Sequence, residues 1–148
     1  MKSMLIKTAL VLAGVLVLSS CEKWPFNGPK QEYLEWKFIN TTDRNLYFNF
    51  DPADERKIMS AGKLNPLMVY NIKKGNDPDF YILYKMLVDK PFYVYLDETS
   101  DPVRVWKRSE KEEPGKQFFN ESSWILRKDQ REIADYLWIF EIAPEDLE

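Results

Sequence analysis

The chain reads as an all-β protein: an antiparallel β-sandwich of about seven strands, immunoglobulin-like or transthyretin-like in kind. Three observations predict this. Short stretches alternate apolar and polar side chains with a period of two, as in a strand with one buried face. Clusters of Asn, Asp, Gly and Pro separate those stretches at close spacing, and no long helical pattern intervenes. The aromatic residues (9 Phe, 8 Tyr and 5 Trp) all lie after Cys21, where alanine occurs only at positions 53, 61, 134 and 143. That balance favours pleated structure.

The elements follow in order. Tyr33 to Ile39 alternates, with Leu34, Trp36 and Phe38 on one face. Asn40-Thr-Thr-Asp-Arg-Asn45 is turn chemistry, and Leu46, Phe48 and Phe50 then alternate with Tyr47 and Asn49. Together these segments read as a hairpin with a six-residue loop. Asp51 to Leu64 is a polar connection with one helical turn expected at Ala53 to Met59. Leu67 to Ile72 is a short strand, and Lys73 to Asp79 a turn. Phe80 to Val88 reads as a central strand from its aromatic and β-branched residues. Helix is the alternative, because Phe80, Leu83, Tyr84 and Leu87 also satisfy helical spacing. Pro91 opens a strand in which Phe92, Val94 and Leu96 alternate with Tyr93 and Tyr95. Asp97 to Pro102 turns the chain. Val103, Val105 and Lys107 then alternate with Arg104, Trp106 and Arg108. Ser109 to Lys116 is a charged loop. Phe118 to Arg131 fits neither state, its apolar cluster being Trp124-Ile125-Leu126. Tyr136, Trp138, Phe140 and Ile142 form one face of a last strand, which Pro144 stops.

The first twenty residues are of another kind. Lys2 and Lys7 flank a basic start, Thr8 to Leu18 is unbroken and apolar, and Ser19 and Ser20 lead into Cys21. A basic region, a short apolar region and a small-residue cut site describe a secretory signal peptide. The apolar stretch is well short of the roughly 20 residues a membrane span needs. Leu18-Ser19-Ser20-Cys21 resembles the lipobox of bacterial lipoproteins, which implies cleavage before Cys21 and acylation of its thiol. Cys21 is the single cysteine of the chain, so no internal disulfide competes for it. An acylated cysteine carrying several chains exceeds the two-signal threshold for stable anchoring. The expected plan is a signal peptide over 1–20, a lipidated tether over 21–32 punctuated by Pro25, Gly28 and Pro29, and one β-sandwich domain over 33–148.

Composition excludes several functions. The signal peptide holds two lysines and no acids, so a chain of net charge −3 becomes −5 once it is removed. That argues against nucleic acid, which needs a basic face, and against a polybasic membrane patch. With no histidine, a Ser-His-Asp or Cys-His arrangement and a conventional zinc site are all out of reach. No glycine-rich phosphate loop is present. Asp97, Glu98 and Asp101 are the candidates for a glycosidase carboxylate pair. That trio, or Asp77 and Asp79 beside Gly75, could offer oxygen ligands to calcium. Neither fits a calcium-loop pattern, and turn acids are the simpler reading. No metal and no cofactor beyond the covalent lipid on Cys21 is expected.

The two ends of the domain carry short motifs: Trp36-Lys-Phe-Ile-Asn40-Thr-Thr-Asp43 near its start and Trp138-Ile-Phe-Glu-Ile-Ala-Pro-Glu-Asp146-Leu147 at its end. The pairing resembles a group of small, uncharacterised lipoproteins of Bacteroides-type bacteria, which share an opening I-x-N-x-[ST]-D strand and a closing [YW]-x-[FI]-x-I-x-x-x-D-[LI] strand. Members often carry Y-P-D-T after the second strand; here Phe50-Asp51-Pro52-Ala53 departs from it. The resemblance implies a β-sandwich on the outer membrane and carries no activity across. Surface export in such bacteria uses acids just after the cysteine. Glu22 is followed here by Lys23 and Trp24, which favours the periplasmic face.

The aromatics are the best functional lead, because exposed Trp and Tyr stack on sugars and populate protein interfaces. Tyr93 and Tyr95 share a strand face, and Trp106 sits between Arg104 and Arg108. These five are the candidate binding residues. Trp36, Trp138, Phe48 and Phe140 are assigned to the core, and Trp24 to the membrane interface. The resulting expectation is a non-enzymatic, lipid-anchored module that binds another envelope protein. The alternative is a glycan-binding accessory lipoprotein. An exposed row of rings would favour the glycan; a broad apolar patch or an open edge strand would favour the protein.

Overall fold

The computed structural model describes residues 31–128 and 135–148. The expected signal peptide, Leu18, Ser19, Ser20, Cys21 and the tether up to position 30 lie outside the described residues. Within them are eight strands and one short helix: β1 (Gln31–Asn40), β2 (Leu46–Asn49), β3 (Lys57–Met59), β4 (Leu64–Lys73), α1 (Ile82–Leu87), β5 (Phe92–Tyr95), β6 (Arg104–Trp106), β7 (Trp124–Arg127) and β8 (Tyr136–Ile142). β1 begins two residues before the expected start of the domain. The strands form two four-stranded sheets, ordered β4-β1-β8-β7 and β3-β2-β5-β6. The fold is an all-β sandwich. Its ladders are antiparallel apart from β1 and β8, which run parallel.

The alternating pattern decides which faces meet. Leu34, Trp36 and Phe38 are fully buried, and their register partners on β8 are Tyr136, Trp138 and Phe140. The parallel pair therefore lays two matched rows of large apolar side chains side by side on the inner face. From the opposite sheet come Leu46, Phe48, Phe92, Val94 and Trp106. Phe92 is the hub: its ring stacks on Phe38 at 4.9 Å and on Trp106 at 5.5 Å, and lies 4.3 Å from Phe118. Phe38 and Phe92 belong to different sheets, so their stacking joins the two layers. Aromatic pairs of this kind add about 0.5–1.5 kcal/mol each beyond the area they bury. Trp36, Trp138, Phe48 and Phe140 lie in this core as expected.

Three sequence expectations are corrected. Asn40 to Asn45 does not close a hairpin, because β1 and β2 lie in different sheets. The reason is Asn40, whose fully buried side chain organises an arch between the layers. Its Nδ2 donates to the carbonyls of Arg44 and Met59, both at 2.9 Å, and its Oδ1 accepts from the backbone N–H of Thr42 at 3.0 Å and the Thr42 hydroxyl at 2.7 Å. An amide side chain offers two donors and a two-lone-pair acceptor, and the arch engages all of them. The helical turn expected at Ala53 to Met59 is instead a turn followed by β3.

Phe80 to Val88 is not a strand. Ile82–Leu87 is helical and is preceded by a turn in which Asp79 Oδ1 accepts the N–H of Tyr81 at 2.9 Å. Phe80, Leu83 and Tyr84 are buried, while Tyr81, Met86 and Val88 are exposed. The three-and-four spacing of the buried residues, not their aromatic character, set the backbone. The segment Phe118 to Arg131, which matched neither state, contributes β7 on the far side of β8.

Candidate functional site

The five candidate binding residues do not form one surface. Trp106 is 1 % exposed. β6 pairs with β5 so that Trp106 stands opposite Phe92 and Arg104 opposite Val94. Because Phe92 and Val94 face the core, the Arg104–Trp106 face does too, which corrects the expectation that Trp106 could lie open between its arginines. Its indole N–H donates to the Lys116 carbonyl at 2.8 Å, and Arg104 lies 5.2 Å from the ring centroid. Tyr95, at 2 % exposed, is also closed off. The Arg56 guanidinium covers its ring at 3.6 Å, and its hydroxyl donates to Asn49 Oδ1 at 2.9 Å. Tyr93 is half-buried and stacks on Tyr95 at 6.4 Å. These rings therefore do not offer a row of open faces.

Arg108 goes elsewhere. It opens a 3-10 turn, Arg108–Glu110, directly after β6. Its guanidinium lies 4.7 Å from the Tyr84 ring centroid and its Nη1 donates to Asp89 Oδ1 at 2.6 Å. Tyr84 is buried, and its hydroxyl donates to the Phe119 carbonyl. Burial pushes the Tyr84 phenol above its ordinary value, with Tyr81 adding to the shift and Arg108 opposing it. At neutral pH the ring is a fixed, uncharged platform under a cation.

Between the end of α1 and this turn is a cleft of about 520 Å³, lined by Asp89, Pro91, Lys107, Arg108, Ser109 and Lys111. That volume is within the range of small-ligand sites. One wall is strained. Val88 caps α1 at φ 44 and Asp89 follows at φ 57. Both are left-handed, where a side chain costs about 1–2 kcal/mol and a β-branched one is a true outlier. The Val88 N–H closes the helix onto the Tyr84 carbonyl at 3.1 Å, the place where glycine usually stands. The strained turn brings the Asp89 carboxylate to Arg108.

Two of the acids considered for catalysis or calcium, Asp97 and Asp79, accept backbone N–H groups. Asp97 Oδ1 accepts the N–H groups of Thr99 at 2.8 Å and Ser100 at 2.7 Å, and the Thr99 hydroxyl at 3.1 Å. Those backbone bonds hold its carboxyl below the ordinary value. Asp79 serves the turn before α1, as above. Among the described residues no group of three or more acids or cysteines gathers in a metal-binding arrangement.

The two terminal motifs converge at one end of the sandwich. The N–H of Thr41 donates to the Ile142 carbonyl at 2.9 Å. Asp146 Oδ2 accepts from the Ala143 N–H at 2.9 Å and from Lys116 Nζ at 2.7 Å, and Lys116 Nζ also reaches the Glu141 carbonyl at 3.2 Å. These residues tie chain ends together.

Two features escaped the sequence reading. Asp89, Lys107, Ser109 and Lys111 were not singled out as site residues. The available signal was the crowding of Arg104, Lys107, Arg108, Lys111 and Lys116 into one short stretch of an acidic chain. The second feature is β4, read as a short strand, whose length makes it the dominant open edge among the described residues. No family model, curated protein or solved structure matches the chain.

Proposed function

We propose that this is a lipid-anchored protein of the bacterial outer membrane, held at the periplasmic face through Cys21, whose domain is a non-enzymatic module that binds another envelope protein. The anchor rests on Leu18-Ser19-Ser20-Cys21 and the basic, apolar segment before it. The binding role rests on one observation: among the described residues, one side of β4 has no strand partner.

β4 runs for ten residues and pairs with β1 on one side. No strand among the described residues pairs with the other. An edge presents unmet N–H and C=O groups and is a template for another strand unless charge, proline, a bulge or shortness blunts it. The first part of β4 is blunted: Pro66 lies there, and the register jumps from Trp36–Met68 to Lys37–Pro66 so that Leu67 bulges. From Met68 to Lys73 the ladder is regular. Val69 is 56 % exposed and Tyr70 41 %, and the only charge in the strand is Lys73 at its end. Strand addition uses main-chain bonds for affinity and alternate side chains for specificity, and this half-strand offers both. Burial of Trp106 and Tyr95 leaves Tyr93, half-buried, as the remaining ring of that set, which favours the protein reading over the glycan one.

The test is crosslinking from intact cells with the full-length protein as bait, beside Cys21→Ala and Val69→Lys. The expected result is recovery of one envelope protein, lost with Cys21→Ala and reduced about tenfold with Val69→Lys, a change worth ~1.4 kcal/mol. Undiminished recovery by Val69→Lys, or nothing above background with the native bait, would sink the reading.

A further inference from the structure

The cleft beside β6 gathers three cationic side chains on one concave surface. Its wall carries three cations, Lys107, Arg108 and Lys111, against one carboxylate, Asp89. Lys107 also reaches Glu110 at 3.0 Å and Lys111 reaches Glu112 at 3.5 Å. Neither glutamate lines the cleft, and exposed pairs of this kind exchange readily with other partners. The cluster as a whole is balanced, with Asp89 inside the cleft and Glu110 and Glu112 outside it, so a dianion would bind by displacing these exposed pairs. A phosphate monoester group carries about −1.5 to −2 at neutral pH and offers three strong acceptor oxygens, one for each cation.

The site is also held in shape. Arg108 is supported on Tyr84 from below and tethered by Asp89 from the side. A guanidinium fixed this way loses little freedom when it binds phosphate oxygens in a forked geometry. Lys111 lies 5.9 Å from the same Tyr84 ring, so two of the three cations stand near one buried phenol. Asp89 is placed by two successive left-handed residues and acts as the resident counter-ion that a ligand would replace.

We propose that this cleft binds a phosphate monoester group, either on a lipid headgroup or on a soluble compound. The proposal uses Tyr84 of α1, the segment just after α1 and the turn that follows β6, none of them on β4, so it stands or falls apart from the strand-addition reading.

The experiment is calorimetric titration of the full-length protein in a neutral detergent. The probes are inorganic phosphate and, separately, short-chain phosphatidic acid, with short-chain phosphatidylcholine as blank. Saturable binding of inorganic phosphate supports a soluble source. Saturable binding of phosphatidic acid alone supports a lipid headgroup. In either case the paired substitution Lys107→Ala/Lys111→Ala is expected to weaken binding about tenfold or more, as lost charge-assisted bonds would. Lys63→Ala/Lys74→Ala, which removes the same charge from either end of β4, is expected to leave it unchanged. Asp89→Asn is expected to tighten it about threefold by removing the competing carboxylate. No saturable binding of either probe, an equal loss in the control pair, or weaker binding by Asp89→Asn would each overturn the proposal.

Discussion

β4 and β6 each close one side of a sheet, and they are finished in opposite ways. β4 is ten residues long and leaves Val69 and Tyr70 in the open. β6 is three residues long; its one large apolar side chain, Trp106, is turned into the core, and a cationic turn follows at once. Every exposed edge has the same problem of unmet backbone groups. At β6 the answer is shortness and charge. At β4 only the first half is protected, by Pro66 and the Leu67 bulge. The difference is what separates the two proposals: an extended chain completing a ladder is proposed at β4, and a small charged group beside β6.

The largest expected effect breaks the β6 side. Trp106 is stacked on Phe92 and meets Phe140 edge-on at 5.4 Å. Trp106→Ala removes a wholly buried ring and the donor to the Lys116 carbonyl, and is expected to cost about 3–5 kcal/mol, measured by urea unfolding. A cost under about 1 kcal/mol would mean that β6 is not part of the core that supports the cleft.

A smaller effect, of opposite sign, sharpens the same edge. Val88 is 71 % exposed, so its side chain has little packing to lose, and its left-handed backbone suits glycine. Val88→Gly is expected to stabilise the domain by about 1 kcal/mol and raise Tm by roughly 3–6 °C. A lower Tm would show that contacts of Val88 outweigh its strain.

At β4 the stability effect should be near zero. Val69→Lys places a charge at an exposed site on an edge, and such changes fall within about ±0.5 kcal/mol. Thermal melting of this variant would match the native protein while partner capture falls. A loss of several degrees would mean that the Val69 side chain is needed by this domain and not by a visitor.

How far the sequence anticipates these edges depends on the kind of signal each segment carries. Period-two alternation in β1, β2, β5 and β8 reads directly, because one residue in two must meet the core. For β8 the pattern understates burial: Leu137 and Ile139 on its other face are buried as well. The helix at Ile82–Leu87 is obscured because FYILYKMLV satisfies both periods, and composition is a weaker arbiter than the spacing of the residues that end up inside. The arch at Asn40 looks like a hairpin turn because turn residues mark a change of direction without saying which sheet the chain enters next. Trp106 is the instructive case for the site. Its flanking arginines suggest solvent, yet the register that puts it opposite Phe92 is a long-range fact that no local pattern contains. The cleft has the same origin, since Asp89 and Arg108 meet only when α1 and the turn after β6 are brought together.

The smallest effect concerns the loop that joins β5 to β6. Asp97 organises it by accepting the N–H groups of Thr99 and Ser100, while its own carbonyl accepts Arg56 Nη1 at 2.9 Å. The bonds favour the ionised carboxylate, so its value in the folded protein lies below that in the unfolded chain. A group depressed by folding adds stability above its unfolded value and loses that contribution as pH falls through the folded one. Asp97→Asn keeps an acceptor oxygen but removes the charge. Native protein is therefore expected to melt slightly above the variant near pH 6, with the gap closing as pH drops below the ordinary Asp value of 3.8. Other carboxylates contribute equally to both proteins and cancel in the difference. Melting curves that stay parallel from pH 6 to the acid limit would show that the Asp97 charge does nothing for this loop, leaving shortness and the burial of Trp106 to finish the β6 edge.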